Sequence, residues 1–255
     1  MAAYEGFASV YDQLLPELDY NAWVDYLERL FTRCEKKPEL VLELACGTGS
    51  ATMELASRGY DMIGVDLSEE MLSVAREKQI EAGLSNVLLL HQDMTEFELY
   101  GTVDAIVCLL DSVNYITNPK KLGRMFDLCM NYLNPGGVLI FDFNLPYKFR
   151  ELLGQNTITV ETDGVFCIWE NDYNEETRLN RFEITVFEQE GSLYSRFDEV
   201  HEQYCYTAEE LREMLEKSGF SEIELLGELS DLAPRKEEER AFIVCKKRLD
   251  KPCGV

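Results

Sequence analysis

The chain has 255 residues, 46% apolar and 28% charged, with 24 basic against 48 acidic side chains and a net charge of −24. That length buries one sizeable core and leaves room for an inserted subdomain; no apolar run is long enough to cross a bilayer, and no basic flank precedes an apolar leader, so a cytoplasmic globular protein is expected. So acidic a surface repels nucleic-acid backbones unless basic residues gather in one patch, and only Lys246-Lys247-Arg248 do so.

In chain order, residues 1–33 read as helical, with Trp23, Leu27, Leu30 and Phe31 spaced along one face, a cap at Asp19 or Asn21, and an aromatic cluster of Tyr4, Phe7 and Tyr11 ahead of them. From Leu40 the pattern becomes short apolar runs separated by helices. Strands are expected over 41–45, 61–65, 87–91, 103–109 and 138–143, and helices over 49–57, 68–82 and 119–133. Ser68 begins the second helix as a cap, and Pro119 suits the first turn of the third. This alternation predicts an α/β fold with a doubly wound, mostly parallel sheet, whose ligand crevice lies at the carboxyl ends of the strands.

After Asn144 the alternation stops. Residues 157–206 read as three or four antiparallel strands with turns at Asp163-Gly164, Asn174-Glu175-Glu176 and Glu190-Gly191-Ser192. Thr207 and Glu210 form a capping box for a helix that stops at Ser218-Gly219, and two strands follow over 222–226 and 241–246. The expected organisation is a helical lid over 1–36, a core over 37–150 and 207–248, and an inserted antiparallel β subdomain over 151–206 that covers the substrate. Eight cysteines without C-x-x-C or other metal spacing, and only two histidines, predict reduced, mostly buried thiols and no metal site.

The stretch Glu43-Leu-Ala-Cys-Gly47-Thr-Gly49-Ser-Ala51 places a glycine turn between the first strand and its helix, where backbone N–H groups can approach a ligand. A dinucleotide fingerprint would need a third glycine or alanine where Thr52 stands, and no phosphate-loop Gly-Lys-Ser/Thr is present. Asp66 ends the second strand 19 residues after Gly47, close to the spacing of a carboxylate that accepts the hydroxyls of a ribose.

With these residues the sequence resembles the class I S-adenosylmethionine-dependent methyltransferases, in their small-molecule, N-methyltransferase-like branch. The likeness is carried by Val41 to Gly49, by Gly64-Val65-Asp66-Leu67-Ser68 with Met71, by Gln92-Asp93-Met94, by Val107 to Tyr115, and by Leu133-Asn134-Pro135-Gly136-Gly137. Ala45 departs from the glycine that many members carry. The resemblance implies a seven-stranded sheet and S-adenosylmethionine as cofactor, with S-adenosylhomocysteine as product. Among the cofactor-binding residues it implies, Gly47 and Gly49 admit the methionine portion, Asp66 binds the ribose, Asp93 accepts from the adenine amino group, and Leu67 and Met94 sandwich the ring. Glu43, Ala45, Met71, Leu109 and Asp111 complete the cofactor set from the same motifs, and Tyr11 closes over it from the lid.

Methyl transfer is an in-line displacement, so positioning groups come first and a base is needed only for an acceptor that must lose a proton. Asn114 and Tyr115 are the expected acceptor-facing residues, and His201 the candidate base; Arg178, Arg181, Arg196 and Tyr204 are further contacts offered by the inserted sheet. His91 is expected to be packing. The expected partner is a small-molecule acceptor at an N or O atom, with no nucleic acid and no membrane. Three alternatives stay open: an RNA methyltransferase linked to ribosome maturation, a nucleotide-dependent oxidoreductase, and a non-catalytic cofactor-binding regulator.

Overall fold

The structure is a computed structural model that describes residues 8, 10–15 and 18–249; Tyr4 and Phe7 of the expected lid, and Cys253, lie outside the described residues. Asp19 caps the first helix, α1 (Tyr20–Leu30), by accepting from the N–H groups of Asn21 and Ala22. Strands β1 (Leu40–Leu44), β2 (Asp61–Asp66), β3 (Val87–His91), β4 (Val103–Cys108) and β5 (Leu133–Asn144) alternate with helices α2 (Ser50–Ser57), α3 (Glu69–Glu81) and α4 (Pro119–Tyr132). Ser68 caps α3 by accepting from Met71 N–H, and Asn118 caps α4 with Pro119 in its first turn.

The chain then builds a separate antiparallel sheet from β6 (Thr157–Thr162), β7 (Val165–Asn174), β8 (Leu179–Glu190) and β9 (Leu193–Tyr204), turning where the sequence predicts. It returns through α5 (Ala208–Lys217), which opens on the complete Thr207–Glu210 capping box, and ends in β10 (Ser221–Gly227) and β11 (Arg240–Lys246). The main sheet runs β10-β11-β5-β4-β1-β2-β3: β1 to β5 pair parallel, while β11 is antiparallel to both its neighbours. The strand order reverses between β1 and β4, the crevice where such sheets bind ligands.

Strand alternation divides the core into two layers. Val41, Ala105, Val107, Val138, Ile140, Phe242 and Val244 face α1 and α2; Leu42, Leu44, Ile106, Cys108, Leu139, Phe141, Phe143 and Ile243 face α4 and α5. Burial of both faces explains why these strands read as continuous apolar runs. Among the described cysteines, Cys46, Cys108, Cys129, Cys167, Cys205 and Cys245 are buried thiols, and Cys34 is half-buried. A third cluster, Val10, Leu14 and Met71 with Cys167, Phe182, Ile184 and Val186, joins the N-terminal segment and α3 to the inserted sheet. The inserted sheet therefore stands over the carboxyl ends of the main strands.

Three elements differ from expectation, the first being β5, which begins at Leu133 rather than at 138. β1 stops at Leu44, because Ala45 turns into the left-handed region at φ 53°. A single π-helical stretch, Lys148–Leu153, links β5 to the inserted sheet.

Candidate cofactor and acceptor site

Every loop at the crevice end contributes to one cavity of about 640 Å³. Its lining takes Ala45 and Gly47 from after β1, Asp66 and Leu67 from after β2, Gln92 to Thr95 from after β3, Leu110 to Ser112 from after β4, Asn144 from the end of β5 and Arg240 from the start of β11. Tyr11 and Leu14 close it from the N-terminal side, and the inserted sheet walls it with Trp169, Asn171, Asn180, Phe182, Ile184 and Gln203. A small adjoining recess of about 40 Å³ is lined by Glu43, Cys46, Thr48, Ser50, Leu109, Tyr20 and Trp23.

The two glycines of the first motif do different work. Gly47 has φ 54°, and a Cβ there would meet nothing within 4 Å among the described residues, so its backbone is bare toward the cavity it lines. Gly49 has φ 74°, and a Cβ there would press on Ala75 Cβ at 3.0 Å; its bareness lets α2 pack against α3. Gly49 does not line the cavity.

Asp66 sits at the end of β2, and both its oxygens are anchored: Oδ2 accepts from Gly47 N–H and Oδ1 from Ser68 N–H, each at 2.8 Å. A carboxylate has about four acceptor positions, and with Leu67 N–H also bearing on it, room remains for a further donor such as a ribose hydroxyl. Burial raises its pKa, opposed by those backbone N–H groups. Asp93 spends one oxygen on Thr95, accepting from its N–H at 2.7 Å and its hydroxyl at 2.8 Å. Leu67, Met71 and Met94 lie on the same wall. Glu43 lies beneath the glycine turn, buried, with Thr52 Oγ1 donating to its Oε2, and burial pushes its pKa up to about 7. A bare Gly47 backbone, an anchored but unsaturated Asp66 and a buried acid in a side recess suit a nucleoside joined to a cationic amino-acid end.

The N-terminal segment is clamped at this edge. Asp12 Oδ1 accepts from Thr48 Oγ1 at 2.8 Å and Ser50 Oγ at 3.3 Å, while Lys78 pairs with Asp12 Oδ2 at 2.5 Å. This holds Tyr11 against the cavity.

The opposite side is built on Arg240. Its guanidinium meets Asp111 Oδ1 at 2.7 Å, the fully buried Asp142, and Glu228 at 3.3 Å, and it stands 5.4 Å over the ring of Trp23. Burial raises Asp142 to about pKa 6 despite the attraction of Arg240. Asp111 N–H donates to Asp142 Oδ2, and Asp111 Oδ2 accepts from Gln203 Nε2 at 2.6 Å. Leu110 and Asp111 both have left-handed backbones, φ 56° and 50°, which turn this carboxylate into the network.

The expected acceptor-facing residues divide. Tyr115 lines the cavity. Asn114 does not: it is fully buried, its Nδ2 donating to Tyr204 O at 2.9 Å and its Oδ1 accepting from Asn144 N–H at 3.0 Å, so it ties the loop after β4 to β5 and β9. His201 also lies behind the lining, stacked on Phe182 at 5.2 Å, edge-on to Tyr115 at 5.8 Å and paired with Glu199 at 2.9 Å. None of Arg178, Arg181, Arg196 and Tyr204 lines the cavity: Arg178 holds Glu210 and Tyr204, Arg181 holds Glu183, and Arg196 holds Asp198. Strand parity explains Arg181, since Asn180 and Phe182 face inward. His91 is exposed, its Nε2 donating to Leu67 O at 2.8 Å, so it is no packing residue. Sequence reading missed Lys148, Asn171, Asn180, Gln203 and Arg240. For Asn171, Asn180 and Gln203 the available signal was a polar residue at an inward position of an alternating strand, where an apolar one is expected.

A seven-stranded, mostly parallel sheet with an inserted antiparallel one, and a glycine turn facing a strand-end aspartate, define an enzyme that uses a nucleoside cofactor at the strand ends. A methyltransferase-domain family model matches residues 41–137. The chain is 34% identical to YqeM of Bacillus subtilis (strain 168), a provisionally named methyltransferase, over 96% of this chain and 97% of that protein. A crystal structure of an S-adenosylmethionine-dependent methyltransferase from Clostridium acetobutylicum is 34% identical, covers 96% of this chain and 99% of its own, and superposes with a TM-score of 0.87. A dTDP-3-amino-3,4,6-trideoxy-alpha-D-glucopyranose N,N-dimethyltransferase of Streptomyces venezuelae is 30% identical over 72% of this chain and 76% of that protein. The chain belongs to the class I S-adenosylmethionine-dependent methyltransferases, and S-adenosylmethionine is its cofactor. No helix of the described residues is long and apolar enough to cross a membrane.

Proposed function

We propose that this methyltransferase acts on a nitrogen or oxygen atom of a small-molecule acceptor. The observation that carries the reading is the shape of the site: the strand-end residues open into a cavity of about 640 Å³ that the inserted sheet and the N-terminal segment wall in. Such a volume suits a cofactor and a metabolite-sized partner. The dimethyltransferase relative, named for an amino-sugar nucleotide, agrees with amine methylation.

In this reading Asp66 holds the ribose hydroxyls and Asp93 the adenine amino group, with Leu67, Met71 and Met94 against the ring. Gly47, Ala45 and Glu43 receive the methionine end, and Tyr11, held by the Asp12 clamp, covers it. When bound, S-adenosylmethionine supplies a sulfonium methyl whose S–C bond breaks, leaving the electron pair on sulfur, as the acceptor's lone pair forms the new N–C or O–C bond. Tyr115 and Gln203 position the acceptor, and the inserted sheet excludes water. An amine acceptor gives up its proton to solvent after transfer, so it needs no base in line; Asn114 and His201 act behind Tyr115 as positioning groups rather than as proton carriers.

The test is transfer of labelled methyl from S-adenosylmethionine into a cell extract, then separated into small-molecule, RNA and protein fractions. Label among small molecules is expected. Label in RNA overturns the reading, and cofactor binding without label anywhere turns it toward a non-catalytic regulator.

A further inference from the structure

The cavity carries polar side chains that the cofactor motifs do not use: Asn171 on β7, Asn180 on β8, Gln203 on β9, and Lys148 on the π-helical turn after β5. The orientation of the Asn180 amide is fixed by a relay. The backbone carbonyl of Asn156 can only accept, so Asn171 donates to it through Nδ2 at 3.2 Å; Asn171 Oδ1 must then accept, and does so from Asn180 Nδ2 at 3.1 Å. The relay ends on Asn180 Oδ1, an acceptor on a fully buried residue with no hydrogen-bond partner among the described residues. Buried acceptors are seldom left so, and a ligand donor is a direct way to satisfy one.

Gln203 stands opposite Asn180 across the ladder and is linked through Asp111 to the Arg240 network. Lys148 is mostly buried, and its Nζ donates to Asn144 Oδ1 at 3.1 Å. The charges that bear on it are Asp111, Glu228, Glu239 and Arg240, and Arg240 already engages both Asp111 and Glu228. Among the described residues no carboxylate forms an ion pair with Lys148, and burial lowers its pKa. An ammonium has three donors, of which one is used. A bound oxyanion would supply both the missing acceptors and the countercharge, in a protein whose net charge of −24 otherwise repels anions.

We infer that Asn180, Gln203 and Lys148 form the acceptor subsite, taking an N–H or O–H donor of the acceptor on Asn180 Oδ1 and an anionic group, carboxylate or phosphate, on Lys148. This rests on the methyl-transfer reading. The acceptor is thus a small polar molecule with both a donor group and an acid group.

The experiment uses the full chain and the labelled small molecules from the extract, run on an anion exchanger at about pH 12, where most amine charge is removed. The label is expected in the retained fraction; loss of retention after phosphatase treatment identifies a phosphate monoester, and persistence a carboxylate or a phosphate diester, which a phosphodiesterase then separates. With the purified acceptor, Lys148→Met is expected to raise KM roughly 10- to 100-fold, the loss of a charged hydrogen bond, while Lys148→Arg recovers most of it. S-adenosylhomocysteine affinity stays within about twofold of wild type in both, as the cofactor groups are separate. Asn180→Ser, with folding checked by the same affinity, raises KM without moving the cofactor. Label in the unretained fraction, or an unchanged KM in Lys148→Met, overturns the subsite while leaving methyl transfer standing; no label anywhere brings down the methyl-transfer reading, and the subsite with it.

Discussion

The two sides of the cavity are built by different means. The cofactor side uses backbone and short-range contacts: a bare Gly47, an aspartate fixed by N–H groups of its own and the neighbouring turn, and Asp93 fixed by Thr95 two residues on. The acceptor side uses long-range side-chain contacts, with Arg240 reaching Asp111 across 129 residues of sequence, Asp142 across 98, and Gln203 reaching Asp111 across 92. Local construction makes a site that a motif can specify. Non-local construction makes one that changes with each pair of side chains, as suits the part of an enzyme that selects its acceptor.

The sharpest way to break this contrast is Arg240→Met. On the acceptor side one cation compensates the fully buried Asp142 and the partly buried Asp111, so its removal leaves both uncompensated and should cost about 3–5 kcal/mol of stability. Urea unfolding measures it; a loss under about 1 kcal/mol would mean that the network is solvated and ordinary.

On the cofactor side the largest electrostatic effect lies in Glu43. Its folded pKa, about 7, exceeds the usual value of 4.5, because burial disfavours the carboxylate. The protonated form is therefore favoured by folding: stability is fully present below about pH 4.5 and is lost as the pH rises through 7, by about 3 kcal/mol in all. Asp142 is also raised, so the comparison must be with Glu43→Gln, which keeps every other acid and the Thr52 contact. Between pH 4.5 and 8 the wild type should lose about 3 kcal/mol more than the variant. Parallel pH profiles would show that Glu43 ionises without cost.

Asp66→Ala comes next and tests whether the local side works as the motif suggests. S-adenosylhomocysteine affinity should fall by about 1–3 kcal/mol, roughly 5- to 150-fold in Kd. Titration calorimetry reads this directly, and an unchanged Kd refutes the ribose assignment.

The contrast also explains what could be read from the chain. The parallel strands were legible because burial on both faces makes apolar runs such as Val103 to Cys108, and helix starts were legible because Asp19, Ser68, Asn118 and Thr207 bond their own helices. The inserted sheet was legible from turns such as Asp163-Gly164. The wall it presents was not. Whether Arg181 or Asn180 faces the cavity depends on pleat parity and on which face meets the core, and both alternatives place a polar residue on the same strand. Asn114 looked acceptor-facing because its motif lies on the crevice rim, yet its amide is used by two backbone groups from β5 and β9 that no local pattern announces. Arg240 gave no signal beyond an isolated basic residue after Glu237-Glu238-Glu239.

The smallest effect concerns the backbone that both sides share. Ala45 after β1 and Asp111 after β4 each turn in the left-handed region, at φ 53° and 50°. For an L-residue this costs roughly 1–2 kcal/mol, and glycine removes that cost at an entropic expense of about 0.5–1 kcal/mol. Ala45 contributes only a methyl group at the cavity edge, so Ala45→Gly should raise stability by about 0.5–1 kcal/mol and leave S-adenosylhomocysteine affinity nearly unchanged. The same substitution at Asp111 should have the opposite sign, because it removes the partner of Arg240 and Gln203 along with the strain. Urea midpoints for the two variants decide the matter. If both gain stability, the acceptor-side network contributes less than the strain it requires; if both lose, the Ala45 methyl packs as a core group, and the cofactor side too depends on side-chain fit.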